Sequence, residues 1–443
     1  MIRILLLGFS AIIVSALMMN CSKRTSFFSE ITSVEGKMIL PDYALYCQRS
    51  LDNERLAVFA SFFGDYENTI RFATMDAPFR SDNSLQVNKD DINRIKSYYS
   101  QALENETLHD EELLKAKQVL ALLEYQYEKP DYFANLKSID ALQHIASKAE
   151  SYQFLLINEA HYSSQNRMFT NSLLKPLWEK GYRYLALETL GYIDDQLDQR
   201  GYALNNTGYY TKDPSFALLV SNALNIGYKL VAYETQDGLD GTARDHEQAL
   251  NLFNRTVKRD SAAKVLVHAG YGHILELGDS NYEPMAYQLK KLLESDVLTV
   301  DQESMLVIND TAKMNPLYHD ALEKEAILKP TVFINEDSTS FVEPLYQGSI
   351  DIQVYHPKTE FRYNRPIWLR TPNSNFYKIP NRYLTYEGSL IQAIKATAHE
   401  DAVPTDQTII HQNSALILEP GDYELRVINC DGTWVGSAFL KAY

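Results

Sequence analysis

Residues 154–161 read FLLINEAH, an apolar run that ends abruptly in a carboxylate, Glu159, and an imidazole, His161. The same event recurs along the middle of the chain. YLAL (184–187) runs into Glu188, LVAY (230–233) into Glu234, VLV (265–267) into His268, and VLTV (297–300) into Asp301. Each run has the length and aliphatic content of a strand buried on both faces. Helical patterning fills the intervals. One helix is expected over about 164–180 and a second from Asp213-Pro214, an N-cap followed by proline at the first helical position. A third is expected over about 242–258, and a fourth from near Pro284. Strands alternating with helices predict an α/β core with a largely parallel sheet flanked by helices. Such sheets bind ligands in the crevice at the carboxyl ends of the strands. The acids and histidines all fall at that edge, so they are expected to share a site.

Residues two apart in a strand exit project to the same side, so Glu159 and His161 can share a proton or a metal ion. Taken alone, E-x-H reads as a capping carboxylate beside a surface histidine, and single strand-end acids also serve scaffold ion pairs. Three acids at corresponding places, Glu159, Glu188 and Glu234, favour function. Arg244, in ARDHEQ (243–248), is placed to clamp a carboxylate of the protein or of a ligand. Asp245 reads as a first-turn partner of the helix dipole. His246-Glu247 begins like a zinc-protease helix, but Leu250 stands where the second histidine is required. VHAGYGHILE (267–276) carries His268 and His273 around two glycines that let the backbone turn tightly. Leu275 in the third glycine position excludes a dinucleotide fingerprint. A histidine within an apolar strand is also a common hydrogen-bonded core residue. Glu234, with Gln165 and Arg167 at the start of the first helix, are candidate substrate contacts. The sequence has no G-x-S-x-G elbow, no P-loop and no H-E-x-x-H. Water activated by His161 or by a metal is the remaining hydrolytic option.

Outward from this region the patterning changes. Apolar residues recur at three- and four-residue steps in ERLAVFASFF (54–63), DDINRIKSYYSQAL (90–103) and DEELLKAKQVLALLEYQYEK (110–129), which predicts a helical region over 53–141. After Lys329, IDIQVYHP (350–357), RPIWLRT (365–371), YLTYEGSLIQAIKA (383–396), SALILEPGDYELRVIN (414–429) and TWVGSAFLKAY (433–443) are strand runs separated by Pro, Gly and Asn. Glu419 to Asp422 and Asp431-Gly432 supply turn chemistry. The expected plan is an α/β domain over 142–325 and a β-sandwich accessory domain over 330–443.

The 443 residues carry a formal charge of −16 and no lysine- or arginine-rich patch, which excludes a nucleic-acid partner. Arg3 precedes an apolar run from Ile4 to Met19, and Cys21 follows. This resembles a bacterial lipoprotein signal, although Met18-Met19-Asn20 replaces the usual leucine and small residues. The expectation is a signal peptide over 1–20, lipidation at Cys21, a polar tether over 21–52 and a place in the bacterial cell envelope. Soluble secretion and an uncleaved anchor are the alternatives. Cys47 and Cys430 are the other cysteines; an oxidising compartment permits a disulfide between them, and two free buried thiols are an equal reading.

INEAHYSSQNRMF (157–169), LALETLGY (185–192), AYETQDG (232–238) with ARDHEQALNLF (243–253), and VHAGYGHILE, in this order, resemble the erythromycin esterase-like superfamily. That grouping includes the ChaN-type haem-binding lipoproteins and the TraB/Tiki-type proteins. The resemblance covers about residues 150–310. It implies an α/β core whose cleft holds a glutamate–histidine pair, further acids and late histidines. Glu159 and His161 match the first motif, Glu188 the second-strand acid, Arg244 the arginine that opens the following helix, and His268 and His273 the late histidines. Asn158 stands where the family usually has glycine, and the late histidines are five apart rather than closely spaced. The implied activity is hydrolysis of an ester, lactone or related bond in a small molecule. His161 would be the base oriented by Glu159, with Arg244 and one late histidine stabilising the oxyanion. The ChaN side implies a haem- or metal-binding lipoprotein without turnover. Glu159, His161, Glu188, His268 and His273 are mixed nitrogen and oxygen candidates for a divalent metal.

Overall fold

The computed structural model describes residues 26–75, 96–97, 100, 120, 131–278, 282–306 and 315–443. The strands are β1 (Phe27–Phe28), β2 (Thr32–Met38), β3 (Lys137–Asp140), β4 (Phe154–Glu159), β5 (Tyr184–Leu187), β6 (Lys229–Ala232), β7 (Val265–Gly270), β8 (Leu298–Asp301), β9 (Thr331–Ile334) and β10 (Ile352–Gln353). They continue with β11 (Phe361–Arg362), β12 (Arg365–Pro366), β13 (Asn375–Lys378), β14 (Leu390–Lys395), β15 (Asp406–Ile409), β16 (Ala415–Leu418), β17 (Gly421–Ile428) and β18 (Thr433–Ala442). The helices used below are α1 (Pro41–Gln48), α2 (Asn53–Phe62), α3 (Tyr66–Met75), α4 (Ala141–Lys148), α5 (Ser164–Glu179), α6 (Pro214–Ile226), α7 (Gly241–Arg255), α8 (Met285–Leu293) and α9 (Pro316–Lys324).

All five strands expected from the apolar runs form, and they lie in one sheet of order β10-β8-β4-β7-β5-β6. Every pairing in it is parallel. Alternate residues of each strand feed opposite cores. Leu155 and Ile157 meet Ile145, Leu173, Leu177 and Leu219 from α4, α5 and α6. Phe154 and Leu156 meet Leu252, Met285 and Leu289 from α7 and α8 on the other side. The α/β expectation therefore holds, with helices on both faces. The helix starts follow local chemistry. The Ser163 side chain accepts the Asn166 N–H at the head of α5, and the Asp213 side chain accepts the Ser215 N–H ahead of Pro214 in α6.

The sixth strand is a correction. IDIQVYHP was expected in the C-terminal β unit, but Ile352 and Gln353 pair with Val300 and Asp301 at the edge of the parallel sheet. Ile352 and Val354 are buried in the same core as Val300, so hydrophobic partners rather than sequence proximity choose the sheet. β9 likewise pairs with β3. The α/β unit thus continues past the expected boundary at 325–330.

Near the C-terminus the sheets are antiparallel. One has the order β1-β18-β17-β14-β15, with β2 also on β18. A two-stranded sheet, β13 with β16, faces it, and Tyr377, Leu416 and Leu418 share a core with Ile391, Leu425 and Leu440. The opposite face of the large sheet is covered by α1 and α2, where Tyr43, Phe59 and Phe62 cluster with Leu390 and Ile428. Residues 26–52 are therefore not a tether. They add two strands and a helix to the C-terminal unit, and a Cys47–Cys430 disulfide joins α1 to the turn between β17 and β18. Of the helical region, α2 and α3 are seen; the two later runs lie almost wholly outside the described residues, as do the expected signal peptide and Cys21. No helix among the described residues is long and apolar enough to cross a membrane.

Candidate functional site

Glu159 is the last residue of β4, and the helix that follows returns Arg167 beneath it. Arg167 is 0% exposed. Its Nε and Nη2 donate to Glu159 Oε2 and Oε1 at 2.7 and 2.8 Å, and Nη1 donates to Asp213 Oδ2 at 2.6 Å. Nη2 also reaches the His161 carbonyl at 2.5 Å, which fixes the chain just past the strand. From β7, His268 places Nε2 2.8 Å from Glu159 Oε2, while Nδ1 lies 3.1 Å from the Thr170 hydroxyl on α5. Burial pushes the Glu159 carboxyl up, but the charges of Arg167 and His268 outweigh it and hold the group well below the usual carboxylate range. For Arg167 the balance is the mirror image. Burial lowers it, and the two acids more than restore its charge.

His161 leaves this inner cluster and faces outward, its side chain 16% exposed. Nδ1 lies 3.4 Å from Glu159 Oε1. The ring stacks on Tyr210, centroids 4.4 Å apart, and meets Tyr271 edge-on at 4.7 Å. Its other edge hangs over Gly270. A Cβ at Gly270 would stand 2.1 Å from His161 Cε1, 2.7 Å from Nε2 and 3.1 Å from Glu188 Oε2. Only glycine leaves room there for both the imidazole and Glu188.

An outer cluster surrounds Glu188. Its Oε2 accepts the Gly270 N–H at 2.5 Å and its Oε1 accepts Arg244 Nη2 at 2.8 Å. Arg244 also donates from Nε and Nη2 to Glu234 at 3.0 and 2.5 Å, and the Gln248 amide supports both Glu234 oxygens at 3.1 Å. Arg244 Nη1 is 3.0 Å from His273 Nε2, whose Nδ1 lies 2.7 Å from Asp245. Asp245 in turn accepts the Tyr282 hydroxyl at 2.5 Å and the Met285 N–H at 3.0 Å. Burial raises the Glu188 carboxyl, and His273, His161 and Arg244 together bring it below its ordinary value. Burial lowers the His273 imidazole, but Asp245 and Glu188 outweigh it and raise the group overall. Two strands leave the sheet here through left-handed non-glycine residues, Thr189 at φ 58° after Glu188 and Tyr271 at φ 43° after Gly270. A β-branched residue in that region is strained, and such strain is characteristic of functional sites.

The sequence candidates thus divide. Glu159, His161, Glu188, Glu234, Arg244, His268 and His273 come together over the ends of β4, β7, β5 and β6. His268, 1% exposed, is bonded to Glu159. Arg167 was expected as a substrate contact, but it is fully enclosed and its guanidinium is taken up by Glu159, Asp213 and the His161 carbonyl. Gln165 turns away toward the Pro357 carbonyl and Thr359, both at 3.4 Å. Asp301 braces the sheet from behind by accepting the Asn158 and Gln353 amides at 2.8 and 3.1 Å. Asn158 is spent on this brace. Asp213, read as a helix cap, is also the second anchor of Arg167, and Asp245, read as a dipole partner, orients His273. Tyr210 gave no signal beyond its residue type. As for metal ligation, Glu159 and Glu188 each already accept from a guanidinium, Arg167 and Arg244 respectively. A metal-compatible triad among the described residues lies elsewhere, at exposed His319 and Glu323 with half-buried Asp320 on α9.

A scan of protein-family models and a search of curated proteins each returned no match. Among solved structures, the type III effector HopBA1 aligns at 11% identity over 39% of this chain and 87% of its own, with a TM-score of 0.28. RRSP, a MARTX toxin effector domain from Vibrio vulnificus CMCP6, aligns at 14% identity over 62% of this chain and 64% of its own, with a TM-score of 0.29. A structure described as a bacterial protein toxin aligns at 15% identity over 59% of this chain and 57% of its own, with a TM-score of 0.27.

Proposed function

We propose that this protein is a hydrolase of the erythromycin esterase-like type, cleaving an ester, lactone or related bond with water activated by the Glu159–His161 pair. The observation that carries the reading is the setting of His161. It is held between Tyr210 and Tyr271 with Nδ1 toward a buried carboxylate and Nε2 over Gly270, on the side of Glu188. A carboxylate kept ionised by Arg167 favours the tautomer with hydrogen on Nδ1, which leaves the Nε2 lone pair to act as base. In the step proposed, Nε2 takes a proton from water as the water oxygen attacks the acyl carbon. The carbonyl electron pair becomes an oxyanion beside Arg244. When the tetrahedral centre collapses, the leaving alkoxide departs with the proton from His161. Arg244, 28% exposed, supplies the positive charge, and Glu188, Glu234 and His273 hold its orientation.

The same reading places the enzyme in a bacterial envelope, tethered through a lipidated Cys21. The Cys47–Cys430 disulfide supports an oxidising compartment. It also takes the C-terminal antiparallel layers as a β-sandwich accessory unit.

The test is a panel of aryl esters, alkyl esters and lactones offered to the wild type, His161→Ala and Glu159→Gln. Hydrolysis that falls about 10²–10⁴-fold in His161→Ala supports the assignment. Undiminished turnover in both variants, or no hydrolysis of any member by the wild type, overturns it.

A further inference from the structure

The parallel sheet has a second end. All the residues of the proposed hydrolytic site sit at the carboxyl ends of the strands, yet a cavity of about 590 Å³ opens at the amino ends. It lies beside Leu298 at the head of β8, Ile350 and Ile352 around β10, the segment 335–348, and Lys148 and Tyr152 between α4 and β4. That volume suits a small organic molecule. Three aromatic residues, Tyr132, Tyr152 and Phe341, line it, and one carboxylate, Asp351.

Charge at this end is unbalanced. Asp351 Oδ2 accepts the Thr299 N–H at 2.9 Å, and the Thr299 hydroxyl donates to Glu276 at 2.6 Å, so the two carboxyls flank one residue of β8. Lys290 on α8 is the cation in contact, 2.6 Å from Glu276 and 2.7 Å from Asp296. One ammonium therefore serves three carboxylates. Burial and repulsion from Asp351 push Glu276 up to about 7, while burial and the charge of Asp296 raise Asp351, so the pair shares a proton in place of a second cation. The Tyr152 hydroxyl feels the same three acids. Lys148 also lines the cavity, but its exposed chain carries the charge out to solvent.

We propose that this cavity is a second ligand site, separate from the hydrolytic one, which takes a small organic ammonium ion with Asp351 as its counter-charge and the aromatic walls as its cage. An ammonium supplies the missing positive charge, and aromatic faces attract it through their quadrupoles. An anionic ligand meets the unbalanced acids and is repelled. Occupation displaces the shared proton of Glu276 and Asp351, so affinity rises with pH and binding releases a proton.

The experiment is titration calorimetry of the full chain with tetramethylammonium and with putrescine, in buffers of different ionisation enthalpy. The expected result is saturable binding of at least one probe, strengthened between about pH 6 and about pH 8, with proton release. Asp351→Asn keeps an acceptor for the Thr299 N–H and is expected to weaken binding about tenfold or more. Tyr152→Leu is expected to weaken it less, and Glu159→Gln not at all. Circular dichroism checks that each variant is folded. No binding of either probe to the wild type, or equal affinity in a folded Asp351→Asn, overturns the proposal, as does preferential binding of sulfate.

Discussion

Two arginines in this molecule do the same thing in different surroundings. Arg167 bridges Glu159 and Asp213 with His268 alongside; Arg244 bridges Glu188 and Glu234 with His273 alongside. The inner arginine is fully enclosed, and its partners are at most 2% exposed. The outer one keeps 28% of its side chain open. Enclosed, the bridge keeps a carboxylate ionised where burial alone would protonate it. At the rim, the same bridge leaves part of the guanidinium open to solvent. His161 lies between the two, taking its orientation from the inner cluster and facing Glu188 of the outer one. Depth, rather than residue type, separates the two bridges.

The two arginines are the positions where substitution is expected to act most strongly. Arg167→Met is expected to lose about 3–5 kcal/mol of stability in urea unfolding, because Glu159 and Asp213 are left buried without a cation. Arg244→Met is expected to cost less, about 1–3 kcal/mol, because its guanidinium is partly exposed although Glu188 is buried, while lowering turnover about 10²–10³-fold. Equal destabilisation by the two would show that depth does not separate them. Next in size is Gly270→Ala, whose methyl group collides with the His161 ring. A stability loss of about 1–3 kcal/mol, together with lost turnover, is expected from unfolding and rate measurements. Retention of full activity would detach His161 from its place over Gly270.

The pH dependence sharpens the contrast further. Glu159 is depressed on folding, so its stabilisation is complete above the ordinary carboxylate value of 4.5 and is lost as pH falls through the lower folded value. His273 is raised on folding, so its contribution is complete below 6.5 and is lost as pH rises through the folded value. Unfolding free energy measured across pH should therefore lose its alkaline slope in Asp245→Asn and keep its acid slope. The smallest effect is expected at Thr189→Gly. Relief of the left-handed strain and the greater freedom of glycine in the unfolded chain oppose one another, leaving a change within about 1 kcal/mol.

Much of the core was legible in the chain. Five strands, the Asp213-Pro214 helix start and seven clustered site residues follow from runs and caps that each fit within a short window. What was misread involves partners distant in sequence. IDIQVYHP has the look of any short strand, and the buried face beside Val300 assigned it to the parallel sheet. Residues 26–52 are polar enough to read as a tether, yet β18 offers an edge for β1 and β2 to complete.

Local patterning set the five core strands, the helices between them and the gathering of acids and histidines at one edge of the parallel sheet, because side-chain periodicity and capping act over a few residues. Tertiary structure alone decided that Arg167 turns inward to Glu159 and Asp213 while Arg244 stays at the rim. It also decided that Asp245 serves His273 and that Tyr210 covers His161. Those outcomes depend on strand order, which brings β7 between β4 and β5, and on how much water each charge loses there. Neither the neighbour nor its desolvation is encoded within reach of a local window.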